Sequence, residues 1–225
     1  MMTTNKLTKT FASGSLAIGV LAGAVLTATS ASAASVMSTW GEWVGTPTTP
    51  GTPLEVGDKK VTFKPNSITG GFVADPLDDV ELMEMGGHYY FIYDATTAGS
   101  PDPNFSSGSF TYEILVTTPG WEIVGVDLDS DVSSNYGTVT ETFLEVPGVV
   151  LVSTNGSQDP ASGFYPIPPK TLLTVTNTLS NPGSPNEALF QLQNSFHQTV
   201  PEPGTILGLL AVGGLGLVSR FKKQK

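Results

Sequence analysis

A regular alternation of apolar and polar residues runs through most of the chain and limits the folds it can adopt. In 89–93, 110–116 and 124–128, every second residue is apolar. Residues two apart point to the same face of a β-strand, so each stretch predicts a strand with one apolar face. Clusters of Pro, Gly, Asn and Ser separate these stretches, and only 77–85 suggests a short helical turn. The pattern predicts an all-β domain of about eight to ten strands, built as an antiparallel β-sandwich or in a jelly-roll-like way.

Charge and cysteine content exclude several classes of function. The 225 residues include 10 Lys and Arg against 20 Asp and Glu, which gives a formal net charge of −10. Residues 34–202 hold all 20 acids and four of the bases, so this stretch carries −16. A nucleic-acid-binding protein needs a basic surface to meet the phosphates, so nucleic acid is excluded as a partner. Cysteine is absent, which excludes disulfides, thiolate catalysis and zinc sites with cysteine ligands.

The N-terminus has the three-part order of a secretory signal peptide. Two lysines precede an apolar run over 11–28, and the small residues Ala31-Ser32-Ala33 follow it. A signal peptidase needs small side chains at its cleavage site, so residues 1–33 are predicted to be removed. The predicted cut lies after Ala33, with a cut after Ala34 as the second choice. A retained transmembrane anchor is the alternative, although three glycines weaken the run as a stable span.

The C-terminus has the pattern of a membrane-spanning helix with a cytoplasmic tail. Residues 205–219 contain no charged residue, and the basic tail 220–225 follows them. These 15 residues are few against the ~17–25 of a usual span, but the long side chains that follow extend their reach. A buried helix of the soluble domain is the alternative, and it would have to be apolar on every side. The basic tail predicts a C-terminus that stays in the cytoplasm. Its cationic residues are Arg220, Lys222, Lys223 and Lys225.

The tetrapeptide Val200-Pro201-Glu202-Pro203 lies between the predicted β domain and this helix. Each proline fixes φ, removes a backbone donor and favours extended geometry in the residue before it. The tetrapeptide is therefore predicted to be extended, unpaired and easy for a membrane peptidase to bind. Motif, apolar helix and basic tail together resemble the PEP-CTERM sorting signal of Gram-negative bacteria and cyanobacteria over 200–225, and a cyanobacterial source is expected.

The resemblance implies both a partner and a destination. The partner is an exosortase-like membrane peptidase-transpeptidase that recognises the motif. The chain would first be a single-pass inner-membrane intermediate with its C-terminus in the cytoplasm. It would then reach the cell surface or the extracellular space, with exopolysaccharide as a further possible partner. The signal covers about a tenth of the chain and assigns no activity to the domain before it.

The chain is therefore predicted to have four regions. They are the signal peptide (1–33), an irregular lead-in (34–57), the β-sandwich domain (58–199) and the sorting signal (200–225). The lead-in is predicted to be irregular because Thr and Pro dominate its low-complexity stretch over 46–53.

Three aspartates spaced two apart, Asp127, Asp129 and Asp131, form the candidate metal site. In a strand they would share one face, and in a loop they could converge on a hard cation such as calcium through oxygen ligands. An EF-hand loop is excluded, because Val132 and Thr138 stand where that motif needs Gly and Glu. A solvated acidic turn is the alternative. No other cofactor is predicted.

No set of residues predicts catalysis. The two histidines, His88 and His197, are expected to be structural, and no G-x-S-x-G nucleophile motif occurs. The leading hypothesis is an exported, non-enzymatic protein with a structural or adhesive role. The alternatives are a calcium-assisted carbohydrate-binding module and a secreted hydrolase with two facing carboxylates. Six aromatic residues could stack on sugars but are expected mainly in the core: Trp40, Trp43, Trp121, Tyr89, Tyr90 and Tyr93.

Overall fold

The computed structural model describes residues 33–199, which form two β-sheets, a small hairpin and one short helix. The elements in chain order are β1 (Ala34–Thr39), α1 (Trp40–Val44), β2 (Gly45–Thr46), β3 (Thr49–Pro50), β4 (Leu54–Val56), β5 (Lys59–Phe63), β6 (Asp79–Met85), β7 (His88–Asp94), β8 (Gly108–Val116), β9 (Glu122–Val132), β10 (Thr138–Phe143), β11 (Val150–Thr154), β12 (Tyr165–Lys170), β13 (Leu172–Ser180) and β14 (Leu189–Thr199).

Two six-stranded antiparallel sheets pack face to face. The first sheet has the order β1-β6-β7-β14-β9-β12 and the second has the order β11-β10-β13-β8-β5-β4. The rings of Phe91 in β7 and Tyr112 in β8 meet between the sheets, with centroids 4.3 Å apart. Ser130 in β9 and Ser153 in β11 share a hydrogen bond of 2.7 Å across the same gap. The predicted all-β class with antiparallel sheets is confirmed, and this packing agrees with a β-sandwich.

The period-two pattern sets which side chains fill the core. The apolar residues predicted to share one face of β8 are all buried, namely Phe110, Tyr112, Ile114 and Val116. Burial of one such Phe, Ile or Val side chain contributes about 1.5–3 kcal/mol to stability. In β9, Val126 and Leu128 face the same core. The residues of β9 that alternate with them, such as Asp127, therefore project from the outer face of the first sheet, which is the face turned away from the core.

The segment 34–57, predicted to be irregular, is instead part of the fold. It supplies β1 at the edge of the first sheet and β4 at the edge of the second. In α1, Trp40 and Trp43 lie on one side of a single turn and insert into the end of the core, with ring centroids 5.4 Å apart. Their large apolar area outweighs the Thr and Pro residues around them. Gly51 permits this packing, because a Cβ there would lie 1.8 Å from the Trp43 carbonyl oxygen.

The possible helical turn over 77–85 is also wrong, because β6 occupies most of it. Val80 and Leu82 are buried, and Glu81 and Met83 alternate with them. This period-two burial follows from pairing with β1 and β7 on either side. Across 33–199, the one helix is too short to cross a membrane. The predicted signal peptide and the predicted span over 205–219 lie outside the described residues, apart from Ala33.

Candidate functional site

The outer face of the first sheet gathers polar side chains from three neighbouring strands. In β7, alternate residues fill the core, which leaves His88 and Tyr90 on the outer face. Strand pairing then sets their neighbours. His88 lies opposite His197 of β14, and Tyr90 lies opposite Ser195, whose partner on the other side is Asp127 of β9. Residues that are distant in the sequence thus meet because of strand order and register.

The chain's only two histidines stand side by side in this face. The ring centroids of His88 and His197 are 4.2 Å apart, with their planes at 49°. The Nε2 atom of His197 is 2.8 Å from Oδ2 of Asp127, and the Phe164 ring stacks on His197 at 4.1 Å. A hydrogen bond to a carboxylate fixes the orientation of an imidazole ring. We call these four residues the histidine cluster.

Phe164 reaches the histidine cluster because residue 125 has no side chain. A Cβ on Gly125 would lie 2.1 Å from Cδ2 of the phenyl ring, which is a severe overlap. Phe164 belongs to the proline-rich loop between β11 and β12. Backbone hydrogen bonds between Asp159 and Leu128 hold this loop against β9. The phenylalanine is 42 % exposed, so it covers His197 and still presents apolar surface to solvent.

Burial shifts the titration of two residues in this face. It lowers the pKa of His88, the neighbouring His197 lowers that pKa further, and Asp127 opposes both effects. Burial raises the pKa of Tyr90, and Asp127 adds to the rise. Within the described part of the chain, the Nδ1 atoms of both histidines are buried and have no hydrogen-bond partner. His88 therefore favours its neutral form, and the polar groups of His197 and Asp127 are largely closed off from solvent.

The three aspartates of the candidate metal site share the outer face of β9, as predicted for a strand. Oδ2 of Asp127 forms a hydrogen bond with Nε2 of His197. Oδ1 of Asp129 accepts a hydrogen bond of 2.8 Å from the backbone N–H of Ser130. Alternate residues of a strand are about 6.5–7 Å apart, so three of them do not converge on one ion as loop ligands do. Among residues 33–199, no three His, Asp or Glu side chains are grouped to hold a metal. Calcium binding stays a prediction.

A shallow cavity lies beside the histidine cluster on the same face. Its volume is about 130 Å³, and it is lined by Asp129, Ser130, Asp131, Gln191 and Gln193. The two glutamines belong to β14, where they pair with the aspartates of β9. Carboxylate and amide groups in this arrangement suit the hydroxyl groups of a polar ligand.

Most of the aromatic residues considered for sugar stacking lie in the core instead. Tyr90 is the one on the outer face, and Trp121 is half-buried immediately before β9. The buried members are Trp40, Trp43, Tyr89 and Tyr93. Phe164, the exposed aromatic residue of the histidine cluster, was not predicted from the sequence. Its place within a Gly- and Pro-rich loop gave no periodic signal.

One carboxylate, Glu141, lies in the core between the two sheets. It is 0 % exposed, and neither of its side-chain oxygens has a hydrogen-bond partner in the described residues. Nearby, Asn194 accepts hydrogen bonds of 2.8 Å from both Tyr112 and Asn177. Burial raises the pKa of Glu141 well above its ordinary value, repulsion from Asp127 adds to this, and Asn194 opposes it. The alternation in β10 was the available signal, because it places Glu141 on the face of Val139 and Phe143.

The predicted sorting motif begins directly after the last described strand. β14 ends at Thr199, so the tetrapeptide 200–203 and the basic residues of 220–225 lie outside the described part of the chain. At the other end, Ala34 is the first residue of β1 and Ala31 lies outside the described residues. The predicted signal-peptide cut after Ala33 would therefore fall immediately before the first strand.

Comparison with known proteins identifies one end of the chain. A family model described as the PEP-CTERM protein-sorting motif matches residues 199–223. No curated protein matches the chain. Among solved structures, an RmlC-like cupin from Shewanella frigidimarina is 12 % identical, with 58 % of this chain and 92 % of that chain covered. Its TM-score is 0.17, which is too low to inform the fold or the function. The expected cyanobacterial source stays a prediction.

Proposed function

Because the chain is a PEP-CTERM protein by its sorting motif at 199–223, we propose that its β-sandwich is a structural or adhesive component of the cell surface or extracellular matrix. The motif implies export and sorting through an exosortase, which is a membrane enzyme. In this proposal the apolar segment 205–219 holds the chain in the membrane until processing, and the acidic domain is the part that is displayed. Exopolysaccharide is the surface component with which it would associate.

The observation that carries this proposal is the position of the sorting motif against the fold. The matched motif begins at residue 199, and β14 ends at that residue, so the two meet without an intervening linker. β14 lies inside the first sheet, paired with β7 on one side and β9 on the other. Pulling a central strand out of a sheet breaks its hydrogen bonds to two neighbouring strands, whereas an edge strand has only one neighbour. A domain held through a central strand therefore resists detachment better than one held through an edge strand. That property suits a structural or adhesive role.

A non-enzymatic role is supported by the burial of two titratable groups with strongly raised pKa values. Burial raises the pKa values of Tyr112 and Glu141 well above their ordinary range, and both groups are enclosed between the sheets. A substrate cannot reach a fully buried carboxyl, so Glu141 is not placed to serve as a glycosidase acid. The proposal therefore assigns these groups to the core.

Carbohydrate binding, with or without calcium, is the second candidate function. The outer face of the first sheet favours it, because an exposed phenyl ring there adjoins a row of carboxylates and amides. Phe164 would stack on a sugar ring, and Asp129 and Gln193 would bind its hydroxyl groups. Because the three aspartates of β9 do not converge on one ion, calcium in this function would bind a single aspartate together with sugar oxygens.

Cell fractionation tests the sorting proposal. The full chain, the chain ending at residue 199, and a Pro201→Ala/Glu202→Gln variant are expressed in a host with an exosortase and in one without it. The full chain is expected in the membrane fraction without the enzyme and at the surface with it. The truncated chain should be soluble in both hosts.

The double variant is the matched control, because it keeps the apolar segment and alters only the motif. It should stay in the membrane even when the exosortase is present. If the full chain and the double variant distribute alike in both hosts, the proposed sorting step does not occur.

A further inference from the structure

A lysine is buried at one end of the sandwich, near the last residues of the described chain. The inward-facing residues of β5 are Lys59, Val61 and Phe63, and the side chain of Lys59 is 0 % exposed. An amine with no access to water is costly unless other groups stabilise it, and such lysines are rare in protein interiors.

Two side chains contact the amine of Lys59. Its Nζ atom is 2.5 Å from Oδ1 of Asp58, and it also donates a hydrogen bond to Oε1 of Gln198. The Tyr89 ring lies beside them, with its centroid 4.3 Å from the same nitrogen. Lys59 belongs to the second sheet and Gln198 to the first, so this contact joins the two sheets. It also joins an early strand to the last one.

The surroundings of Lys59 favour the form of the amine that can act as a nucleophile. Burial lowers the pKa of Lys59, while Asp58 and Glu84 oppose that change. A neutral amine attacks carbonyl carbon, whereas an ammonium does not. Asp58 has a second carboxylate oxygen that is buried and unpartnered in the described residues, so this residue can accept and return a proton.

We propose that Lys59 and Gln198 form an intramolecular isopeptide bond. Asp58 takes one proton from the ammonium, and the neutral Nζ then bonds to Cδ of Gln198 while the carbonyl electron pair moves to Oε1. As the carbonyl re-forms, the bond from Cδ to Nε2 breaks and the leaving nitrogen takes a proton from Nζ. The ammonia accepts the proton held by Asp58 and departs as ammonium. The step needs no oxidant, metal or cofactor.

The bond would fasten the end of the domain from which the chain is sorted. Gln198 precedes the matched sorting motif, which begins at residue 199. A covalent link from β14 to β5 would therefore connect the last strand to the opposite sheet. Tension applied through the C-terminus would then act on both sheets. The alternative is a buried ion pair between Lys59 and Asp58 with no covalent change.

Peptide mass spectrometry separates these two states. The full chain is expressed with export, extracted, denatured and digested with chymotrypsin. The expected product joins residues 55–63 to the peptide that begins at His197, with a mass about 17 Da below the sum of the two. Lysine labelling under denaturing conditions should leave Lys59 unmodified and modify Lys60. If only the two separate peptides are found and Lys59 is labelled, the bond does not form.

Three variants complete the experiment. Lys59→Met and Gln198→Met should each abolish the joined peptide, because each removes one reacting group. Lys60→Arg is the matched control: that residue is half-exposed and pairs with Glu55, so the joined peptide should persist. Loss of ammonia at Asn155-Gly156 would give the same change in intact mass, but it would leave 55–63 as a separate peptide and so count against the proposal. If Lys59→Met fails to fold, the wild-type digest still decides.

Discussion

The buried carboxyl of Glu141 should make the stability of this domain fall as the pH rises. Both of its oxygens lack hydrogen-bond partners in the described chain, so ionisation in the folded state is strongly disfavoured. The folded state therefore binds the proton more tightly than the unfolded chain does. Stability from this group is fully present below the unfolded pKa of about 4.3 and is lost as the pH rises towards the raised folded pKa.

The size of the effect follows from proton linkage. Within that window the unfolded chain releases about one proton more than the folded chain, which lowers the free energy of unfolding by about 1.4 kcal/mol per pH unit. Glu141→Gln keeps nearly the same shape and cannot ionise. The variant should therefore gain stability over the wild type by about that amount for each unit between pH 5 and the folded pKa.

Urea unfolding of the full chain in detergent, followed by tryptophan fluorescence at pH 5, 6 and 7, measures the difference. The control is Glu113→Gln, because Glu113 is partly exposed and pairs with Lys64 at the surface. The free energy of unfolding of the control should change with pH as that of the wild type does. The free energy of unfolding of Glu141→Gln should rise relative to the wild type from pH 5 to pH 7. If the difference in free energy of unfolding between Glu141→Gln and the wild type is the same at all three pH values, Glu141 is ionised or solvated in the folded protein. The claim that it is buried in its neutral form would then be wrong.

Two further predictions concern the outer face of the first sheet. Gly125→Ala should displace the Phe164 ring and destabilise the domain by about 1–3 kcal/mol, as overpacking does. The double variant Gly125→Ala/Phe164→Ala should recover part of the loss in the same urea assay, and additive losses would contradict the contact. If the face binds sugars with calcium, calcium should raise the Tm and Asp129→Ala should abolish the rise. Glu113→Gln, in β8 of the second sheet, is the control because it lies outside this face. No shift of the Tm with calcium or with glycans would remove this function.

The strands were predictable from the sequence where apolar and polar residues alternate several times in succession, so that one face of the strand is apolar. β8 follows this rule, and its four predicted core residues are buried. The segment 34–57 was not predictable in this way, because its strands have two to six residues and its core contribution comes from two tryptophans on a single helical turn. Whether such a turn packs depends on the space left at the end of the sandwich, which no local pattern encodes.

The histidine cluster was out of reach for a different reason. Its members lie on three strands and a loop, and they meet only because β14 is inserted between β7 and β9. Alternation could place His88 on the outer face of β7, since Tyr89 and Phe91 belong to the core. It could not supply the register that sets His197 opposite His88. The same limit hid the contact of Lys59 with Gln198, which depends on the packing of one sheet on the other.

The two ends of the described chain occupy unequal positions in the first sheet, one at its edge and one in its interior. β1 is an edge strand that begins directly after the predicted cut at Ala33, and it pairs only with β6. An edge strand can join a sheet that is already formed, so removal of a signal peptide need not precede folding of the rest. β14 is internal and leads into the motif at residue 199. Because β14 pairs with both β7 and β9, the folded domain carries the motif directly after an internal strand, whereas β1 at the other end is free of a neighbour on one side.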